Sequence, residues 1–135
     1  MIHKLIIEHN LDLPPGFEPE VVYNMIRVKC PLTYPDGSNI DVFLSPGRSE
    51  WTVSDLGNTD TWCFHVRNEE TDEEVYKQAA SRLVEFDVNF HLVFDRNIQV
   101  TTDVRNEDIL SGIYKVMLAA HYLSRFKEYG QAKTS

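Results

Sequence analysis

At 135 residues, with 42% hydrophobic and 25% charged residues, the chain fits one globular domain that buries roughly two-thirds of the surface its unfolded form exposes. Its formal net charge of −8 argues against general affinity for a phosphate backbone, which comes from Lys and Arg displacing counterions, and suits a basic partner instead. No apolar run approaches the roughly 20 residues that span a bilayer, and residues 1–8 are too short an apolar start for a secretion signal, so a soluble, cytoplasmic protein is expected.

Ile2, Leu5, Ile6 and His9 recur at helical spacing, which predicts a short first helix ending before Pro14-Pro15-Gly16, although Leu5-Ile6-Ile7 would serve equally in a strand. Residues 21–30 turn to period two, with Asn24, Ile26, Val28 and Cys30 on one side and Met25, Arg27 and Lys29 on the other, as in a half-buried strand. Pro35-Asp36-Gly37 supplies a turn, and Ile40, Val42 and Leu44 alternate in the next strand. After Pro46-Gly47, a third strand carries Trp51 and Val53.

The stretch Asp55-Leu56-Gly57-Asn58-Thr59 then reads as a strand-to-helix corner, with Asp55 accepting backbone hydrogen bonds and Gly57 in left-handed geometry. Residues 60–66 allow one or two helical turns. In the acidic run that follows, Thr71 and Glu74 have capping-box spacing, so a helix is expected from Asp72, with Val75, Ala79, Leu83 and Phe86 on its apolar face. Phe90, Leu92 and Phe94, then Ile98 and Val100, predict a second hairpin. Asp103 is the expected N-cap of a last helix running to about Tyr129 and stopped by Gly130.

The whole reads as a single α+β domain over residues 1–130, with 131–135 a frayed tail: a three-stranded antiparallel meander followed by helices, a second β-hairpin and a long C-terminal helix. Cys30 and Cys63 fall on different elements without metal-ligand spacing, and reduced thiols are the simpler reading of the pair.

Several residues invite chemistry. The corner resembles the first phosphate loop of the actin and Hsp70-like ATPases, but that fold needs two lobes closing on the nucleotide, and this chain is too short for both. Asp36, Asp41 and Asp55 near strand ends could gather a divalent cation, yet turns are rich in Asp for reasons of backbone geometry alone. Cys63 with His65 or His91 lacks the third group that would orient a base, and Cys63 between Trp62 and Phe64 reads as core. The helix–hairpin–helix outline of residues 72–129 suggests a winged-helix DNA reader, but its first helix begins with acids, and Lys115, Arg125 and Lys127 are too few for a footprint. No catalytic residue, metal ligand or cofactor is assigned. Glu69, Glu70, Asp72, Glu73 and Glu74 form the candidate partner-binding patch, able to dock on a basic surface.

The strand beginning Cys30-Pro31, the Asp36-Gly37 turn before Ile40-Asp41-Val42-Phe43-Leu44, and the run Trp51-Thr52-Val53-Ser54-Asp55-Leu56-Gly57-Asn58-Thr59 together resemble a prophage-associated domain of unknown function, family eighteen-twenty-eight. In that family a "P…DGD.I.VYL" hairpin precedes an "LTDDG.T" corner, followed by helices and a short hairpin. The likeness covers about residues 20–102. Here Ser54 and Leu56 replace the family's Thr and second Asp, which weakens any metal site that two adjacent acids would build. The resemblance implies an α+β domain of phage or mobile elements with no established activity. Small acidic proteins of such elements often block a host machine. The expectation is therefore a non-enzymatic acidic protein-binding module, an anti-CRISPR-like inhibitor of a host nucleic-acid-handling complex. The alternatives are a small divalent-metal-dependent hydrolase or nucleotide-binding enzyme using Asp55 with Asp36 or Asp41, and a homodimer formed through Ile113, Met117, Tyr122 and Phe126 of the last helix.

Overall fold

The computed structural model describes residues 13–59, 89–93 and 97–134, with Ser81. Six antiparallel strands form one sheet in the order β1-β2-β3-β4-β6-β5. These are β1 (Glu18–Val22), β2 (Met25–Thr33), β3 (Asn39–Pro46), β4 (Trp51–Ser54), β5 (Asn89–Val93) and β6 (Asn97–Val104). A 3-10 turn (Asn106–Asp108) leads into helix α1 (Ile109–Thr134), which packs against β6, β4, β3 and β2.

Alternation builds the core. Ile26, Val28 and Cys30 of β2, Ile40, Val42 and Leu44 of β3, Val53 of β4 and Val100 of β6 are all buried on the face that meets α1. The helix answers with Ile109, Ile113, Val116, Met117, Ala120 and Leu123. Its direction is pinned at two points. Trp51 donates its indole N–H to Asn106 Oδ1 at 2.6 Å just before the helix begins, and Arg125 donates to the Thr33 carbonyl at 2.7 Å at the far end of β2.

The expected architecture is corrected in three respects. The meander has four strands, not three, and the second hairpin belongs to the same sheet, because β4 pairs with β6 from Trp51 opposite Val104 to Ser54 opposite Thr101. The result is one six-stranded sheet with one long helix among the described residues, in place of an α+β arrangement of meander and several helices. The segment expected as one strand over 21–30 is a hairpin: β1 and β2 close on the two residues Tyr23 and Asn24, with Val22 opposite Met25. Tyr23 adopts a φ of 55°, so the chain reverses without the Gly or Pro that marks such a turn in a sequence. Asp103 caps no helix. It lies in β6, where Thr52 Oγ1 donates to its Oδ1 at 2.9 Å, and α1 starts six residues later and continues through Gly130. The helices expected before residue 13 and within 60–88 lie outside the described residues.

The free edge of β1 is blunted. Hydrogen-bonded pairs alternate along a two-residue hairpin, so Val22, Glu20 and Glu18 turn their backbone groups to β2, while Val21 and Pro19 face outward. Proline has no N–H, which leaves that edge one donor short for strand addition.

Gly112 sets how closely α1 lies on the sheet. A Cβ there would stand 2.9 Å from Val104 Cγ1 and 3.0 Å from Val53 Cγ2, both on stiff, buried β-branched side chains. Replacing a helical glycine by alanine ordinarily gains about 1 kcal/mol of propensity. Overpacking of this kind costs about 1–3 kcal/mol. Gly112→Ala is expected to lower stability by about 1 kcal/mol in urea unfolding, and Gly112→Val by more.

Candidate functional site

The corner after β4 is the most polar buried place among the described residues. Leu56 and Gly57 take φ values of 52° and 79°, which turns the chain back on itself after Ser54. Asp55, fully buried, fills the inside of that turn. Its Oδ1 accepts from the Gly57 N–H at 2.9 Å and from the Val100 N–H of β6 at 3.0 Å, and its Oδ2 accepts from the Thr59 N–H at 3.4 Å. The Asp55 N–H donates to the Val100 carbonyl at 3.1 Å, so side chain and backbone together extend the β4–β6 pairing by one residue. Leu56 N–H is taken by Ser54 Oγ at 2.9 Å and Asn58 N–H by the Asp55 carbonyl at 3.1 Å. Thr59 Oγ1 lies 2.9 Å from the Tyr34 hydroxyl, which ties the corner to the end of β2.

This accounting decides what the turn can do. A phosphate-binding nest needs backbone N–H groups free to point at an anion. Here each N–H from Leu56 to Thr59 has an acceptor within the chain, and the Asp55 carboxylate occupies the anion's place. Burial pushes the Asp55 pKa up, opposed by the Gly57 and Val100 N–H groups and by Thr59. The group is placed to hold structure, with no face open to a ligand.

The other expected site residues are dispersed. Asp36 lies at the exposed β2–β3 turn, where its Oδ1 accepts from the Ser38 N–H at 2.9 Å and the Ser38 hydroxyl at 2.6 Å. Asp41 lies on the outer face of the sheet opposite Lys29. Partial burial raises its pKa, Arg27 and Lys29 pull it down, and Glu20 adds to the rise. Asp36, Asp41 and Asp55 share no ligand shell, and among the described residues no group of three His, Cys, Asp or Glu is placed to hold a metal ion. Ile113 and Met117, read as a dimer face, are buried in the chain's own core, with Tyr122 half-buried against it. The side chain of Phe126 lies outside the described residues, as do the acidic residues Glu69, Glu70, Asp72, Glu73 and Glu74, and Cys63 with His65. Cys30 is a buried thiol pushed up to about 12, chiefly by burial and then by Asp41, which suits packing and not nucleophilic attack.

One polar cluster escaped the sequence. His121 Nδ1 lies 2.9 Å from Arg125, whose guanidinium also bonds the Thr33 carbonyl, and this joins α1 to the end of β2. Burial, then Arg125, lowers the His121 pKa, with the Thr33 carbonyl opposing. Only the i, i+4 spacing of His121 and Arg125 on a helix hinted at the pair.

No family model matches the sequence, and no curated protein does. Among solved structures, an uncharacterized protein from Methanothermobacter thermautotrophicus is similar over 96% of both chains, with a TM-score of 0.51 and 16% sequence identity. At that identity the likeness is one of fold alone. No described helix is long and apolar enough to cross a membrane.

Two outcomes follow from these contacts. Asp55→Ala strands buried N–H donors at Gly57, Val100 and Thr59, each loss costing about 1–3 kcal/mol, and is expected to leave little folded protein by circular dichroism. Asp55→Asn keeps an acceptor for Gly57 and Val100 but sets an amide N–H₂ against Thr59, and is expected to cost about 1–3 kcal/mol in urea unfolding. The folded His121 titrates below its ordinary 6.5, so its contribution is complete above that pH and is lost as pH falls toward the folded value. Urea midpoints of the parent chain are expected to drop below pH 6.5 relative to those of His121→Gln.

Proposed function

We propose that the protein is a non-enzymatic, cytoplasmic binding module that presents an acidic segment to a basic protein surface. Residues 60–88 hold eight of the chain's 21 acidic residues against three of its 13 basic ones. The observation that carries the reading is how this segment is rooted. It leaves the sheet at Thr59, whose N–H is held by Asp55 and whose hydroxyl is held by Tyr34. It returns at Asn89, which pairs with Thr101, itself opposite Ser54. Thr59 and Asn89, which flank the segment, therefore both belong to this one sheet and its corner.

Such a placement favours recognition by charge. A dense negative segment steers a basic partner toward it and lends specificity, at the cost of sensitivity to salt. Basic surfaces of that kind belong to proteins that handle nucleic acids, whose Lys and Arg side chains await a polyanion. The resemblance of residues 20–102 to the prophage-associated family supports the mobile-element part of the proposal: an inhibitor of a host nucleic-acid-handling complex, CRISPR effectors included.

The quadruple variant Glu69→Gln, Glu70→Gln, Glu73→Gln, Glu74→Gln is expected to lose at least tenfold in affinity for the basic complex captured by the parent chain, with an unchanged urea midpoint. Binding by the parent should weaken steeply as salt is raised. Capture that is equal for parent and variant would remove the acidic segment as the recognition element.

A further inference from the structure

Tyr23 is 92% exposed, and the fold makes no use of its ring. It sits first in the two-residue turn between β1 and β2, at a φ of 55° that a bulky L residue adopts only under strain and a glycine adopts freely. Among the described residues its side chain has no hydrogen bond, ion pair or ring contact. A strained position that holds an aromatic ring out into solvent points to something outside the chain.

The same hairpin offers a receptor. On its outer face lies an open groove of about 800 Å³ whose lining includes Glu18, Glu20, Arg27, Lys29, Asn39 and Asp41. The signs alternate across the strands. Glu18, Lys29 and Asp41 form one cross-strand row, and Glu20 with Arg27 forms the next, where the two are ion-paired. Toward the turn, Val22, Met25 and Phe43 are half-buried on this face. An apolar patch flanked by mixed charge suits a protein contact.

We propose that the outer face of β1–β3 is where two copies of this chain meet, with Tyr23 of each copy seated in the groove of the other. Knob and groove lie on one hairpin, four residues apart along the strands, roughly 13 Å. A two-fold axis between them therefore satisfies both at once, as an isologous contact requires. The Tyr23 ring can lie over the Arg27 guanidinium, with its hydroxyl donating to an acid of the groove. Lys29 and Arg27 of one copy can face acids of the other, so the groove, with three acids against two bases, carries far less repulsion than the chain's overall charge of −8 imposes elsewhere. On this hairpin, pairing through the β1 edge is disfavoured by Pro19, which favours the face over that edge.

This proposal goes beyond the partner-binding reading and uses none of the acidic residues 69–74. Sedimentation equilibrium of the full chain from about 1 µM to about 1 mM tests it, a span that covers weak and moderate dimers. The parent is expected to pass from monomer to dimer. Tyr23→Gly is expected to weaken the dimer at least tenfold without lowering the thermal midpoint of the dilute monomer, because glycine relieves the turn. Lys29→Glu is expected to weaken it comparably, and the quadruple Gln variant of the acidic segment to dimerise like the parent. A parent that stays monomeric throughout overturns the proposal. So does a dimer indifferent to Tyr23→Gly, and so does a lowered midpoint for that variant, which would assign the ring to the fold.

Discussion

The carboxylate of Asp55 is the interaction on which most else rests. It joins its own turn at Gly57 and Thr59, two and four residues on, to the middle of β6 at Val100, 45 positions away. Through Thr59 and Tyr34 the same knot reaches the end of β2. A backbone N–H can be satisfied by any acceptor, but only a two-oxygen group on a short stem can gather three from different directions inside a dry turn. Asp is the residue that meets that demand. The same knot therefore holds Thr59, the last described residue before position 60, against β6.

Packing of the helix on the sheet is the second constraint, and it is complementary. The sheet supplies Val53 and Val104, and α1 supplies Gly112 where its backbone comes close to them, with Ala119 and Ala120 also buried. The Trp51–Asn106 hydrogen bond just before the helix and the Arg125–Thr33 bond along it then hold its direction, while the absence of a side chain at Gly112 sets its depth.

What could be read in the sequence was whatever local chemistry dictates. β3, β4 and the second hairpin announced themselves by strict alternation and by turn residues, and Gly57 by the φ its position demands. The β1–β2 turn was illegible because alternation runs through it unbroken and its reversal is made by Tyr23, a residue that propensity argues against. Asp103 looked like a helix cap because Asp before an apolar run usually is one, but pairing with β4 carried the strand three residues beyond Thr101, and Thr52 claimed the carboxylate. The corner looked like an anion site because its backbone resembles one. Only the three-dimensional accounting of donors reveals that the chain carries its own anion. The single six-stranded sheet was hidden for the same reason: β4 and β6 are separated by a long excursion, and nothing local records that they pair.

That pairing bears on how the protein comes to be folded. The first four strands meet in chain order through short turns, so their contacts are nearly all local and cost little loop entropy to form. The strand pairings of the meander involve no residue beyond Ser54. The β4–β6 ladder waits until some 45 more residues have followed, and the bond from the Val100 N–H to Asp55, spanning 45 positions, closes that large loop. Without that ladder the Asp55 carboxylate would lie at an unpaired edge of β4, and a charge on a sheet edge disfavours its pairing with another chain.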